Sequence, residues 1–291
     1  MISVVINTLN NEEEVSRAIA SVKGLADEVV VCDMESSDKT VDVAKKLGAK
    51  VYNHKKEKYV ELVRNFMVSK VEDGERSRTN WILILDPDEE ITSKLSSKLK
   101  EIIKHPQADY FRIPRKNIIF GKWIKHTNWW PDYNVRFFKK GFVSWNEVIH
   151  SVPMTQGKGI DLPEKEEYAI IHKSYKTISN YFEKILRYTD AQRDNLLNAG
   201  YVFSWKDLVK KPLAEFLSRY FASEGYKDGV HGLALSLLQS FSELTLYLKV
   251  WEKQGFDDKN LKKAEIKKEL NKGTSDLKWW LRKKFSWLKF L

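Results

Sequence analysis

Cysteine is almost missing from this 291-residue sequence, where Cys32 stands alone. An intramolecular disulfide is thereby excluded, a zinc site built on cysteines lacks its ligands, and a reducing, cytoplasmic setting is the expectation. No apolar run approaches the roughly 20 residues that span a bilayer. The nearest stretch, residues 232–242, lacks ionisable groups, but it carries Ser236, Gln239 and Ser240 and soon meets Glu243, which suits a packed helix. The first residues, Met1 to Ile6, run straight into strand-like sequence with no basic leader, so no signal peptide is expected. Residues 7–14 hold neither glycine nor lysine, so a glycine-rich phosphate loop is missing after the first apolar segment. Fixed-period repeats and low-complexity tracts are absent too.

What is present suits a globular chain, since 42% hydrophobic residues can build a sizeable core. The net charge of +10 is unevenly placed: from Lys249 onward thirteen Lys or Arg face six Asp or Glu, a net of +7. Such asymmetry points to an anionic surface, membrane or nucleic acid. Short apolar segments at residues 2–6, 28–32 and 50–52 alternate with stretches of helical spacing, among them Val15, Ala18, Ile19 and Val22, and later Leu62, Val63, Phe66 and Met67. That alternation predicts βαβ units and a parallel sheet, an α/β class. Asn10 and Asn11 are expected to cap the first helix, with three glutamates in its first turn. From Tyr110 the texture shifts to short aromatic-rich strands broken by Pro114, Gly121, Pro131 and Gly141, where the sheet is expected to turn mixed. Beyond His172 the chain reads as helical, with segments near 175–199, 205–223 and 230–254.

The stretch with most chemistry is Trp81-Ile82-Leu83-Ile84-Leu85-Asp86-Pro87-Asp88-Glu89-Glu90. Five apolar residues read as a buried strand, and proline, which donates no hydrogen bond, ends the ladder. Ligands of open α/β sheets gather at the carboxyl ends of strands, where Asp86, Asp88 and Asp33 would all arrive. Carboxylate oxygens suit Mg2+ or Mn2+ shared with substrate phosphates, whereas the plainer alternative is a solvated acidic turn. The rings of Trp129, Trp130 and Trp145 suit either a sugar face or a core.

Four ordered segments, Ile6-Asn7-Thr8-Leu9-Asn10-Asn11-Glu12, Glu28 to Asp38, Arg64-Asn65 and Trp81 to Glu89, make the chain resemble the family-two glycosyltransferases of the GT-A fold. Pro131-Asp132, Arg136-Phe137-Phe138 and the segment from His172 through Tyr175, Lys184 and Arg187-Tyr188-Thr189 extend the resemblance, which is nearest to the lipopolysaccharide-core glucosyltransferase branch. It implies a Rossmann-like mixed sheet flanked by helices; with the helical texture and the charge run, the expected division is a catalytic domain over residues 1–172, a helical domain at 173–255 and a basic amphipathic tail at 256–291. It also implies an inverting transferase that moves a hexose from a UDP-sugar to a glycan or lipid-linked acceptor, with Mn2+ or Mg2+. Thr8, Asp33 and Arg64 would contact the nucleoside, Asp86 and Asp88 the ribose and metal, and His172 would add a metal ligand. Members of the family often carry His-Glu where this chain has His150-Ser151. Inversion needs a proton acceptor near the attacking hydroxyl, so Glu147 becomes the first candidate base and Asp132 the second.

Two other classes are weighed against this. A nucleotidyltransferase on a similar sheet would want the glycine-rich loop that residues 7–14 lack. A non-enzymatic basic module for RNA or anionic glycan would not need three aspartates at one sheet edge, where they repel phosphate, and nucleic acid is not the expected partner. For the tail, a helical wheel of residues 276–291 gathers Leu277, Trp280, Leu281, Phe285, Trp287, Leu288 and Leu291 on one arc, with Lys284 intruding and Trp279 outside it. An interfacial helix, and hence peripheral attachment to the inner face of the cell membrane, is the expectation; a helix packed on its own protein or on a second subunit, as in a homodimer through the helical region, is the competing one.

Overall fold

The computed structural model describes residues 1–57, 60–72, 80–146, 153–257 and 261–285. Strands and helices alternate at first: β1 (Ile2–Thr8), α1 (Glu12–Val22), β2 (Glu28–Asp33), α2 (Thr40–Lys46), β3 (Lys50–Asn53), α3 (Glu61–Ser69) and β4 (Trp81–Leu85). Then come β5 (Glu89–Glu90), α4 (Ser93–Lys104), β6 (Tyr110–Ile119), β7 (Lys122–Trp123), β8 (Tyr133–Lys139), β9 (Val143–Ser144), β10 (Met154–Thr155), β11 (Gly159–Asp161) and β12 (Ile170–Tyr175). The helices α5 (Ile178–Asn198), α6 (Asp207–Leu217), α7 (Val230–Lys253) and α8 (Lys263–Lys284) follow.

The sheet runs β3-β2-β1-β4-β8-β6-β12-β5. β1, β2, β3 and β4 pair in parallel, while β8 lies antiparallel to both β4 and β6, so the sheet is mixed as the sequence predicts. Every residue of β1 and β4 is buried, because both faces are covered. Ile2, Val4, Ile6, Leu83 and Leu85 point to one side, against Val15 and Ile19 of α1 and Leu95 and Leu99 of α4. Val5, Ile82 and Ile84 point to the other, against Val63 and Met67 of α3. Strand alternation of period 2 thus meets helical stripes on both sides, which explains why β4 reads as an unbroken apolar run. Asn11 does sit at the start of α1, but its side chain makes no capping bond there and accepts the Leu9 N–H instead.

The chain divides into two compact units, one of Met1–Ile118 with Trp130–Ser174 and one of Ile119–Trp129 with Tyr175–Leu291. The sequence places 119–129 with the sheet; the structure groups them with the helices. Ile119 and Ile124 bury against Tyr181, Ile185 and Leu235, and Asp228 accepts the His126 N–H at 2.8 Å.

In the tail, the competing reading of a helix packed on its own protein describes the part that can be seen. α8 begins at Lys263, and the described residues of its apolar arc meet their own unit. Trp280 stacks on Phe221 at 6.1 Å between centroids, Phe285 meets Tyr226 at 5.2 Å, and Leu277 and Leu281 are half-buried. Lys284, the misfit within the arc, lies 3.5 Å from Glu224. Covering these rings with protein removes them from water without any outside partner. Trp287, Leu288 and Leu291 lie outside the described residues. Among the described residues no helix is long and apolar enough to cross a membrane.

Candidate active site

The parallel register sets Thr8 beside Asp33 and Ile6 beside Leu85, so the carboxyl ends of β1, β2 and β4 share one edge. Asp33 is 3% exposed there. Its Oδ2 accepts the Ser36 N–H at 2.9 Å, while its buried Oδ1 meets no donor among the described residues. Asn7, also buried, leaves its Oδ1 without a donor in the same way. Thr8 is buried, with its hydroxyl donating to Asn11 Oδ1 at 3.4 Å. Buried acceptors are nearly always satisfied in folded proteins, so orphans at a sheet edge mark a place shaped for a donor from outside the chain. Cys32, next to Asp33, is a buried free cysteine. Burial, reinforced by the Asp33 charge, pushes its thiol up to about 12.

Asp86 is gripped from two sides. Arg136 Nη2 donates to its Oδ2 at 2.5 Å and Arg64 Nη2 to its Oδ1 at 3.3 Å. Burial alone would raise this carboxyl, but the two guanidinium groups hold it well below the usual carboxylate range. Behind it stands Glu89, fully buried, whose Oε2 accepts the Asp86 N–H at 2.9 Å and whose Oε1 takes Arg136 Nη2 at 2.7 Å. Arg136 is only 2% exposed, yet its Nε and Nη1 find no partner among the described residues, as is true of Arg64 Nε. Both arginines therefore keep donors in reserve beside the aspartate edge.

A second chain of bonds reaches Asp88. Opposite Glu89 in the β5–β12 pairing sits His172, which brings its Nε2 to 3.6 Å from Asp88 Oδ2. His172 Nδ1 lies 2.6 Å from Asn117 Oδ1, and Asn117 Nδ2 donates to Asp132 Oδ2 at 3.0 Å. An ionised carboxylate can only accept, so Asp132 dictates which way the Asn117 amide faces. The amide oxygen then obliges neutral His172 to carry its proton on Nδ1, leaving the Nε2 lone pair toward Asp88. Asp132 is itself fixed, by Arg115 Nη2 at 2.6 Å and by Asn134. Burial would raise its carboxyl, but Arg115 and Asn117 hold it low.

Among the described residues no group of three or more His, Cys, Asp or Glu could hold a metal unaided. Asp88 and His172 offer one oxygen and one nitrogen, with the imidazole oriented as metal-ligating histidines usually are. That donor pair fits a divalent ion whose remaining ligands are supplied by a diphosphate and water. Asp86, expected as a further ligand, has both oxygens committed to arginines.

The fold brings Thr8, Asp33, Arg64, Asp86, Asp88, Asp132 and His172 into the unit that holds the sheet, whereas Glu147 lies outside the described residues. Trp145, two residues before Glu147, is anchored closely. Asn65 Nδ2 donates to the Trp145 carbonyl at 2.7 Å and Asn65 Oδ1 accepts the Trp145 N–H at 3.0 Å. Trp145 is 4% exposed and packs in the core, so it offers no sugar face. Sequence reading missed Glu89, Arg115, Asn117 and Arg136. Arg136 stands beside Phe137 and Phe138 in the buried part of β8.

Comparison with known proteins fits this geometry. Residues 3–156 match the model of glycosyl transferase family 2. The chain is 30% identical over 261 residues to an uncharacterized glycosyltransferase of Rickettsia typhi, covering 86% of this chain and 87% of that one. It is 28% identical over 279 residues to another from Rickettsia conorii, covering 93% and 96%. A solved mannosyltransferase from Pyrobaculum calidifontis, in complex with GDP-Man and Mn2+, is 13% identical, with coverage of 89% and 88% and a TM-score of 0.48, too distant to bear on donor or metal. The family match spans the strands that carry Thr8, Asp33, Asp86 and Asp88, and the chain belongs to glycosyl transferase family 2.

Proposed function

We propose that the protein is an inverting, metal-dependent glycosyltransferase of the lipopolysaccharide-core type. It moves a hexose from a UDP-sugar to a glycan or lipid-linked acceptor of the cell envelope, at the inner face of the membrane. The observation that carries this reading is the orphaned Asp33 Oδ1, buried at the same sheet edge as the Asp88–His172 pair. A single carboxylate oxygen awaiting a donor suits the ring N–H of uracil. Cytosine presents an acceptor at that ring position. Guanine presents two adjacent donors, and the second oxygen of Asp33 is already taken by Ser36.

In this reading Thr8, Asp33 and Arg64 hold the nucleoside, and Asp86 orients Arg64 and Arg136 while facing the ribose. Asp88 and His172 would hold Mn2+ or Mg2+, which when bound neutralises charge on the leaving diphosphate. The spare donors of Arg64 and Arg136 add fixed positive charge beside the same group. Glu147 is the preferred acceptor of the proton from the attacking hydroxyl. Asp132, tied to three donors and held low, is poorly suited to take one.

Calorimetry of UDP, GDP and CMP with and without Mn2+ tests the proposal. UDP should bind most tightly, lose affinity in EDTA, and lose its metal dependence in Asp88→Ala. UDP affinity unchanged by EDTA would remove the metal from the reading, and tighter binding of GDP or CMP would remove UDP.

A further inference from the structure

The helical unit presents an apolar face that its own core does not use. On α5, Ile178, Phe182 and Leu186 recur every four residues and are 48%, 37% and 53% exposed. The adjoining flank of that helix is already buried through Tyr181, Ile185 and Thr189. On α7, Val230, Leu237 and Phe241 fall on one line at 81%, 53% and 46% exposure, while Leu235, Leu246 and Val250 face inward. The two stripes join, since the Phe182 and Phe241 rings meet edge to face at 5.6 Å. With Leu248 at its far end, the α7 stripe runs about 27 Å at helical rise. A contiguous apolar surface on the order of several hundred Å2 marks an interaction site. A helix that is apolar on both sides expects cover on both.

Charge decides what covers it. The unit of Met1–Ile118 with Trp130–Ser174 holds 26 Lys or Arg and 26 Asp or Glu, a net of zero, so the +10 belongs to the unit that contains α5 and α7, seven of it from Lys249 onward. Lys176, just before α5, and Arg187, on it, stand exposed. Pairing this face with a second copy would bring two units of +10 together, which is repulsive, whereas an anionic leaflet complements both the apolar stripe and the charge. We propose that the α5–α7 face docks on an anionic lipid bilayer, its apolar side chains entering the headgroup boundary. This surface differs from the tail helix expected from the sequence, whose Trp280 and Phe285 meet Phe221 and Tyr226.

Sedimentation of the full chain with vesicles tests it, in the absence of nucleotide and metal, so the result stands apart from the donor assignment. The chain should sediment with phosphatidylcholine vesicles containing one-third phosphatidylglycerol, weakly with phosphatidylcholine alone, and less as salt rises. Leu186→Gln with Leu237→Gln should lower the apparent vesicle affinity tenfold or more while leaving the thermal midpoint in place, since both side chains are half-exposed. Trp279→Ala, on the exposed side of α8, should bind as the unaltered chain does. Equal binding by the double variant overturns the proposal, as does failure of the unaltered chain to sediment. So does a dimer, seen by light scattering without vesicles, that the double variant dissolves.

Discussion

His172 illustrates how one side chain acquires a role from a neighbour twice removed. Its Nε2 faces Asp88 because Asn117 holds Nδ1, and Asn117 is oriented because Asp132 can only accept. Asn117 is fully buried, so Asn117→Leu should be accommodated sterically while removing the acceptor that fixes the imidazole. Mn2+ affinity in the presence of UDP should then fall about 10- to 100-fold, the usual cost of losing a ligand's orienting partner. Electron paramagnetic resonance of free Mn2+ reads this directly. A variant that melts earlier but binds Mn2+ normally would make Asn117 a packing residue only. Legibility at this scale is divided. Asp33, Asp86 and Asp88 could be placed because each follows an apolar strand that ends abruptly. Asn117, Arg115 and Arg136 could not, because β6 and β8 bring them in through antiparallel pairings that no local spacing encodes.

At the scale of elements, helices with one apolar stripe and strands between turn residues were readable, as α1, α3 and β4 show. Contacts that depend on the absence of a side chain were not. Gly232, near the start of α7, is an example: a Cβ there would lie 1.8 Å from the carbonyl oxygen of Gly225. Helix propensity favours alanine over glycine by about 1 kcal/mol, so Gly232→Ala looks stabilising from the sequence. The clash is with backbone and cannot be relieved by a rotamer change, so the substitution should destabilise the helical unit by about 3 kcal/mol or more. Circular dichroism melts would check it, and a raised midpoint would show that the α7 start can shift. The tail was left between two readings for a related reason. An apolar arc specifies only that something covers it, and Phe221 and Tyr226 meet its Trp280 and Phe285 from 50 or more residues away in sequence.

Across the whole molecule, composition and charge separate two kinds of work. The sheet unit, electrically balanced, gathers its charges into buried pairs around Asp86, Glu89 and Asp132, where an ordered polar network can hold a diphosphate ligand. The helical unit carries the excess charge and the exposed apolar stripe, features suited to a surface rather than a small molecule. The sequence placed most of the charge excess, +7 of +10, from Lys249 onward, within this unit, but the apolar stripe of α5 and α7 looks like ordinary core until the fold shows which side is covered. Native-state hydrogen exchange should separate the two functions on one sample. UDP with Mn2+ should slow exchange near residues 7–11, 33–37 and 86–89 and leave α5 and α7 unchanged. Anionic vesicles should do the reverse, because a ligand that binds only the native form raises the opening free energy where it makes contact. Protection of α5 and α7 by the nucleotide would instead show that the helical unit takes part in donor binding, and the division of labour would have to be abandoned.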